Sequence, residues 1–121
     1  MVFADTSVWI DHLRAPDPAF TSLLNRRLVH GHSMLTLEIA LGSLNKLQRA
    51  AQLDYLDRLP SLKLASLDDL CNLLETRKLW SRGIGVVDLN FLASTFITPG
   101  VRLMTRDRSL AALAAELGIA A

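Results

Sequence analysis

The chain opens with Met1-Val2-Phe3-Ala4-Asp5-Thr6-Ser7, a short apolar run that ends in an acid and two hydroxyl residues. Such a run, bounded by polar residues, is typical of a buried strand. The Asp5 carboxylate should therefore lie at the carboxyl end of that strand. Open α/β sheets usually bind their ligands at this end, so the first residues already predict a functional edge.

A second acid follows a second apolar run near the end of the chain. The segment Val101-Arg102-Leu103-Met104 predicts a strand, and Thr105-Arg106-Asp107 is the turn into a helical pattern closed by Gly118. Asp107 is thus expected at another strand end.

Two more acids interrupt apolar segments. Glu38 lies in Leu37-Glu38-Ile39-Ala40-Leu41, which predicts a core-facing helix, and Asp88 lies in a similar segment over 84–93. A carboxylate on the apolar face of a helix is costly unless it is paired or bound to a metal. We therefore expect these acids to converge with those at the strand ends.

The rest of the pattern alternates between strands and helices. Strands are predicted at 2–5, 33–35, 62–65 and 101–104. Helices are predicted at 6–14, from 19 to near Gly31, at 37–45, at 46–58, from a Ser66 capping box to about Leu79, around Asp88 and after Asp107. Strands joined through such crossovers imply a mostly parallel sheet in an α/β/α sandwich.

Composition fits one compact domain spanning 1–121. The chain has 121 residues, half of them hydrophobic, and a net charge of +1. It lacks the pattern of a secretory signal, and no apolar run approaches the roughly 18 residues needed to span a bilayer, so we expect a cytoplasmic protein without membrane association. The single cysteine, Cys71, excludes an internal disulfide and is expected in the core.

The types of the acids constrain the chemistry. Oxygen ligands without His or Cys favour Mg²⁺ or Mn²⁺ over zinc or copper. Four like charges in one pocket predict that a metal, or a cation from a partner, stabilises the fold. Basic residues near the acids in sequence would suit a polyanionic substrate, and we assign RNA binding to Arg82, Arg106 and Arg108.

Four segments together resemble the acidic motifs of the PIN-domain ribonucleases, and in particular the VapC-type toxins of bacterial toxin–antitoxin pairs. The likeness covers nearly the whole chain in order, and the stretch at 79–85 strengthens it. The segments are Asp5-Thr6-Ser7-Val8-Trp9-Ile10-Asp11, Leu37-Glu38-Ile39-Ala40-Leu41-Gly42, Gly83-Ile84-Gly85-Val86-Val87-Asp88 and Thr105-Arg106-Asp107.

The resemblance implies roles for single residues. It makes Asp5, Glu38, Asp88 and Asp107 the catalytic, metal-binding acids, supported by the hydroxyls of Thr6, Ser7 and Thr105. It also implies cleavage of structured RNA of the tRNA or rRNA class, silencing by a cognate VapB-type antitoxin, and a homodimer. One departure concerns packing: relatives often have a small residue where this chain has Leu37.

Other functions fit less well. A phosphoacceptor receiver domain needs a paired acid beside Asp5 and a Lys after a late strand, but Thr6 and Arg106 stand there. A phosphatase of the haloacid dehalogenase type needs an acid at Ser7. A non-catalytic PIN-like domain that grips RNA or protein stays open.

Several other residues allow two interpretations. Asp11 is a fifth ligand or, more simply, a surface acid, and the histidines at 12, 30 and 32 are taken as non-catalytic, the last two as solvated loop residues. Trp9 is expected in the core or at a dimer contact, whereas Trp80 is as well placed to stack on a base as to pack. The stripe of Leu41, Leu44 and Leu47 is expected in the core, or else marks a protein contact.

Overall fold

The sheet consists of three parallel strands in the computed structural model, which describes residues 1–42 and 45–121. The strands are β1 (Val2–Ala4), β2 (Val29–His30) and β3 (Arg102–Met104), in the order β2-β1-β3. Val2 pairs with Val29 on one side and with Arg102 on the other. β1 is therefore the central strand, with β2 along one of its edges and β3 along the other.

Helices make up most of the remaining described chain. They are α1 (Thr6–Arg14), α2 (Pro18–Asn25), α3 (Ser33–Leu41), α4 (Arg49–Asp57), α5 (Leu67–Thr76), α6 (Val86–Ile97) and α7 (Arg108–Glu116). Two helices connect β1 to β2, and four connect β2 to β3 within the described residues. Right-handed crossovers to opposite neighbours put helices on both faces of a sheet. The predicted α/β architecture with a parallel sheet is confirmed.

The core forms where α6 packs against β1. Phe3 is fully buried, and its ring centroid lies 5.0 Å from that of Phe91. Every residue of α6 from 90 to 95 is buried, so this helix has little solvent-facing surface in its middle. Trp9 is 2% exposed and belongs to the same core, as predicted. No described helix is long and apolar enough to cross a membrane.

The strand predicted at 33–35 is wrong. The chain is extended four residues earlier, in β2, and Ser33 already begins α3. The cause is His32, which caps the helix by accepting a hydrogen bond from the Met34 backbone N–H at 3.0 Å. Because Ser, Thr, Asp and Asn are the usual capping residues, the sequence gives little sign of a helix start here.

The strand predicted at 62–65 is also wrong. Only Ser61 forms a bridge to the sheet edge, at Gly31. The backbone N–H groups of Lys63 and Ala65 donate instead to the side-chain hydroxyls of Thr98 and Ser94, at 3.0 and 3.1 Å. Hydroxyl groups on α6 thus replace the partner strand that the alternating pattern predicts.

Several predicted boundaries and burials also differ. The helix expected to run to near Gly31 ends at Asn25. Two residues later, Arg27 has a left-handed φ of 57°. Cys71 is exposed, not in the core. Leu41 and Leu47 are 80% and 94% exposed, so the expectation that their stripe packs in the core is wrong for both. The helix predicted at 37–45 begins earlier, at Ser33, and ends at Leu41 with Gly42 as its C-cap. Leu44 lies outside the described residues.

Candidate active site

The site begins at the carboxyl ends of β1 and β3. The Asp5 backbone N–H donates to the Met104 carbonyl at 3.0 Å, which continues the parallel pairing to the last residue of each strand. After this point the two chains diverge into α1 and α7. The gap between neighbouring strands whose chains leave in different directions is where open α/β sheets bind ligands.

Asp5 is 4% exposed and is held by three donors. Its side chain caps α1 by accepting from the Val8 backbone N–H at 3.2 Å. The Ser7 hydroxyl donates to the same carboxylate oxygen, and the Thr105 hydroxyl donates to the other. A buried carboxylate is tolerated when hydrogen bonds replace its lost water, so these contacts explain how Asp5 occupies an apolar setting.

Thr105 links the first acid to the last. Besides donating to Asp5, its hydroxyl oxygen accepts from the Asp107 backbone N–H at 3.0 Å. Asp107 then caps α7 by accepting from the Leu110 N–H at 3.0 Å. Ser7 adds a parallel link, because its hydroxyl accepts from the Arg106 N–H at 3.0 Å. The turns after the two strands are thus tied together by side-chain hydroxyls.

Glu38 comes from α3 and joins the site through Thr6. The Thr6 hydroxyl donates to a Glu38 carboxylate oxygen across a separation of 32 residues. Thr6 is the first residue of α1, so the contact fixes α3 beside the turn that holds Asp5. The neighbouring Leu37 is 59% exposed, and its size therefore causes no packing conflict.

Asp88 completes the set from the first turn of α6. Burial raises its pKa above the ordinary 3.8, and repulsion from Asp107, Asp5 and Glu38 raises it further, while a hydrogen bond from the Gly85 backbone opposes the rise. The three other acids therefore lie within electrostatic reach of Asp88. The structure brings the four predicted acids, separated by up to a hundred residues in sequence, into one negatively charged neighbourhood.

Helix ends partly compensate this charge. Asp5 and Asp107 cap α1 and α7, and Asp88 lies in the first turn of α6. The N-terminus of a helix carries a partial positive charge that favours a carboxylate there. Glu38 lies in the second half of α3 and lacks this compensation.

The donor set suits a hard divalent cation, but it is not a closed cage. The described residues contain no group of three or more acid, His or Cys side chains arranged to hold a metal ion directly. Mg²⁺ commonly takes only one or two protein carboxylates and keeps several waters. The oxygen-only chemistry and the mutual repulsion at Asp88 therefore fit a partly hydrated cation.

Two of the three predicted RNA-binding cations are engaged in surface ion pairs. Arg106 lies 2.7 Å from the Asp11 carboxylate, and Arg82 pairs with Glu116 on α7. Arg108 is exposed and forms no ion pair with the described part of the chain. Asp11 thus has a surface partner, in line with the simpler of its two interpretations.

Sequence reasoning missed a polar link behind the acids. His32 is 5% exposed, and its Nε2 lies 3.1 Å from the hydroxyl of Ser94, which is fully buried on α6. The prediction of solvated histidines at 30 and 32 is wrong, because His30 is also only 8% exposed. Burial lowers the pKa of both rings. No local pattern pairs residues 62 positions apart, so the sequence held no signal for this contact.

Comparison with known proteins identifies the family of the chain. No protein-family model matches the chain. Two curated proteins do, both named ribonuclease VapC32, from Mycobacterium tuberculosis strains CDC 1551 / Oshkosh and ATCC 25618 / H37Rv. Each is 42% identical over 120 residues, which is 99% of this chain and 95% of the relative. With such identity along nearly its whole length, the chain belongs to the VapC-type PIN-domain ribonucleases.

Proposed function

We propose that this protein is a Mg²⁺- or Mn²⁺-dependent endoribonuclease that cleaves structured RNA of the tRNA or rRNA class. The observation that supports it most is that four acids from separate elements lie close together, linked through the Thr6 and Thr105 hydroxyls and near enough to raise the pKa of Asp88. Carboxylates whose charge is only partly compensated favour cation binding. Membership of a ribonuclease family gives the reaction class.

In this proposal Asp5, Glu38, Asp88 and Asp107 hold the cation. Once bound, it would supply positive charge for the scissile phosphate and activate a water for in-line attack, leaving 5′-phosphate and 3′-hydroxyl ends. Thr6, Ser7 and Thr105 orient the carboxylates through the hydrogen bonds described above. Burial of Asp5 fixes its two oxygens, so little reorganisation is needed when substrate arrives.

The decisive variant is Asp107→Asn. Asn is as good a helix cap as Asp, so the variant keeps the α7 cap and removes only the charge. We expect Mn²⁺-supported cleavage of bulk tRNA and rRNA to fall at least 100-fold, with an unchanged circular dichroism spectrum. Asp68→Asn, at an exposed acid in the first turn of α5, is the control and should cleave normally. Full activity of Asp107→Asn, or cleavage undiminished in excess EDTA, would refute the proposal.

We also propose that the chain is the toxin of a pair with a VapB-type antitoxin and forms a homodimer. A toxin of this kind acts in the cytoplasm, where loss of tRNA or rRNA inhibits translation. α3 supports a protein contact near the site: Leu37 and Leu41 are both exposed one turn apart, and Glu38 between them borders a cavity of about 350 Å³. Light scattering of the free chain, and co-purification with a protein encoded by the adjacent reading frame, test the two contacts separately.

One observation favours a non-catalytic alternative, a PIN-like domain that only binds RNA or protein. The described acids do not form a ready group of three metal ligands. The two functions differ in one assay: the nuclease cleaves RNA when Mn²⁺ is added, whereas the binding domain retains RNA intact with or without the ion.

A further inference from the structure

The segment between α5 and α6, residues 77–85, exposes a large aromatic side chain. Trp80 is 50% exposed, whereas its neighbour Leu79 is 2% exposed and belongs to the core. Burying an indole would contribute more to stability than burying a leucine of smaller area. The chain nevertheless anchors Leu79 and presents Trp80 to solvent.

Three residues of this segment have a left-handed backbone conformation. Lys78 and Ser81 have φ values of 53° and 57°, and Gly83 has a φ of 83°. Non-glycine residues in this left-handed region cost on the order of 1 kcal/mol each. At Lys78 the conformation ends α5, because this residue follows the C-cap Arg77. A hydrogen bond joins the start of the segment to α5: the Leu79 N–H donates to the Leu74 carbonyl at 3.0 Å.

One ion pair joins the same segment to α7, and the two also approach closely at Gly83. Arg82 forms an ion pair with Glu116, and a side chain at Gly83 would approach the Ser109 hydroxyl to 3.0 Å. α7 begins beside Asp107, and the segment itself ends at Gly85, the cap of the helix that carries Asp88. Trp80 thus lies on a segment that leads directly to the helix carrying Asp88 and contacts the helix that begins after Asp107.

The cations close to Trp80 in sequence suit a nucleic-acid strand. Arg77 and Lys78 lie three and two residues before Trp80, and neither forms an ion pair with a described residue. Arg77 lies 5.4 Å above the Phe96 ring, so its side chain is ordered along the surface. The acids repel phosphates, whereas cations beside an exposed aromatic ring attract the backbone and offer a surface for a base.

We propose that Trp80 is a stacking platform for an unpaired base of the RNA substrate, with Lys78 and Arg77 binding the flanking phosphates. This inference rests on the proposed ribonuclease function and names the part of the substrate that the enzyme grips. Stacking needs an open base face, so the platform selects single-stranded loops over paired stems. If Trp80 instead served a protein contact, RNA binding would not depend on whether the oligomer carries bases.

The test compares two oligomers in EDTA, where no metal supports cleavage. One is octa-adenylate, and the other is an abasic octamer with the same phosphates but no bases. We expect octa-adenylate to bind at least tenfold more tightly, and Trp80→Ala to lose about tenfold of its affinity while Trp80→Phe keeps most of it. Tyr55→Ala, which removes another half-exposed aromatic side chain, should bind as the wild type does.

Tryptophan emission identifies the binding residue. The only other tryptophan, Trp9, is buried, so quenching by octa-adenylate should come from Trp80 and disappear in Trp80→Phe. Equal affinity for the abasic octamer, or an unaltered affinity of Trp80→Ala, would overturn the inference and point to a protein contact. In cleavage assays Trp80→Ala should raise KM for RNA about tenfold with little change in kcat.

The two proposals fail in different ways. If the wild type binds octa-adenylate through Trp80 but never cleaves RNA with Mn²⁺, the nuclease function is wrong and the platform stands. If cleavage depends on Asp107 but Trp80→Ala binds and cleaves normally, only the platform is wrong.

Discussion

At the scale of single residues, the Thr105 hydroxyl connects two acids, donating to Asp5 and accepting from the Asp107 backbone. We predict that Thr105→Val leaves a buried carboxylate oxygen without its donor and costs about 1–3 kcal/mol of unfolding free energy. Cleavage should fall with it, since Asp5 loses its orientation. Urea denaturation and RNA cleavage measure the two effects. Thr105→Ser retains the hydroxyl and should restore both; equal losses in the Ser and Val variants would contradict the role.

At Asp88 we predict that a substitution stabilises the fold. A raised pKa means that the folded protein binds the proton more tightly than the unfolded chain does, so folding stability falls as pH rises from 3.8 through the raised pKa. Asp88→Asn removes the ionised group and should raise the melting temperature at pH 7 without metal by a few degrees. The gain is modest because the side chain is partly exposed and solvent screens it. The variant should be inactive.

Thermal unfolding in EDTA at several pH values tests this effect. The stability gap between Asp88→Asn and wild type should close as pH falls below 3.8. Asp68→Asn is the matched control, because it removes an acid from the first turn of α5, an exposed site. A destabilised Asp88→Asn, or an equal gain in Asp68→Asn, would contradict the raised pKa of Asp88 that burial and repulsion produce.

The four candidate acids can be singled out from the sequence because each carries a local signal. Asp5 and Asp107 follow apolar runs, and Glu38 interrupts one. Burying a carboxylate in such a place is costly unless it has a partner, so these positions indicate a site. Their partners were harder to predict. The family resemblance implied only that the Thr6 hydroxyl supports the acids. The fold shows that it contacts Glu38, because α1 lies beside α3. A hydrogen bond between distant residues has no sequence pattern of its own.

At the scale of elements, the His32–Ser94 contact joins α3, which carries Glu38, to α6, which carries Asp88. Nδ1 accepts from the Met34 N–H, so in the neutral ring the proton is on Nε2, which donates to Ser94. Ser94 in turn accepts from the Ala65 N–H. One buried ring thus positions two helices and the segment that precedes α5.

We predict that His32→Asn destabilises the fold by about 1–3 kcal/mol and lowers kcat. Asn retains the helix cap but cannot reach Ser94 or fill the space between the rings of Phe3 and Phe91. Ser66→Ala is the control: it removes the cap of α5, which carries no site acid, at a similar cost of about 1 kcal/mol. Equal activity of the two variants at matched stability would show that the link is structural only.

The same ring gives a pH dependence. Burial lowers the His32 pKa below 6.5, so the unfolded chain takes up the proton first as pH falls. The stability that neutral His32 provides is complete above about pH 6.5 and is lost as pH falls through the lowered pKa. The cost of His32→Asn, measured by urea denaturation, should therefore shrink below pH 6.5. The wild type and His32→Asn both contain His30, whose pKa burial also lowers. Its contribution therefore cancels when their unfolding free energies are subtracted. A constant cost across this range would contradict the assignment.

Elements with strong local signals were predicted and the others were not. The Ser66–Asp69 capping box was read correctly, because both of its hydrogen bonds lie within one turn. The strands at 33–35 and 62–65 were wrong, since His32 and α6 hydroxyls supplied partners that no propensity encodes. The order β2-β1-β3 likewise depends on contacts between the two ends of the chain.

At the scale of the whole molecule, a net charge of +1 conceals a separation of charge. The acids gather at one edge of the sheet, and cations including Lys78 and Arg108 lie on the segments leading to and from it. This arrangement draws a polyanion toward a site that repels it until a cation is bound. Binding and catalysis are therefore expected to show different salt and metal dependences.

The same repulsion predicts that divalent ions stabilise the folded protein as a whole. A ligand that binds only the native state adds RT ln(1 + [L]/Kd), about 2.7 kcal/mol when its concentration is 100 times Kd. We expect the melting temperature to rise steadily with Mn²⁺ or Mg²⁺. Asp107→Asn keeps the α7 cap but loses one negative charge, so its response should need at least tenfold more ion. Differential scanning fluorimetry against matched NaCl measures both. A rise equal in both proteins, or reproduced by NaCl, would mean that general screening, and not a site, is responsible.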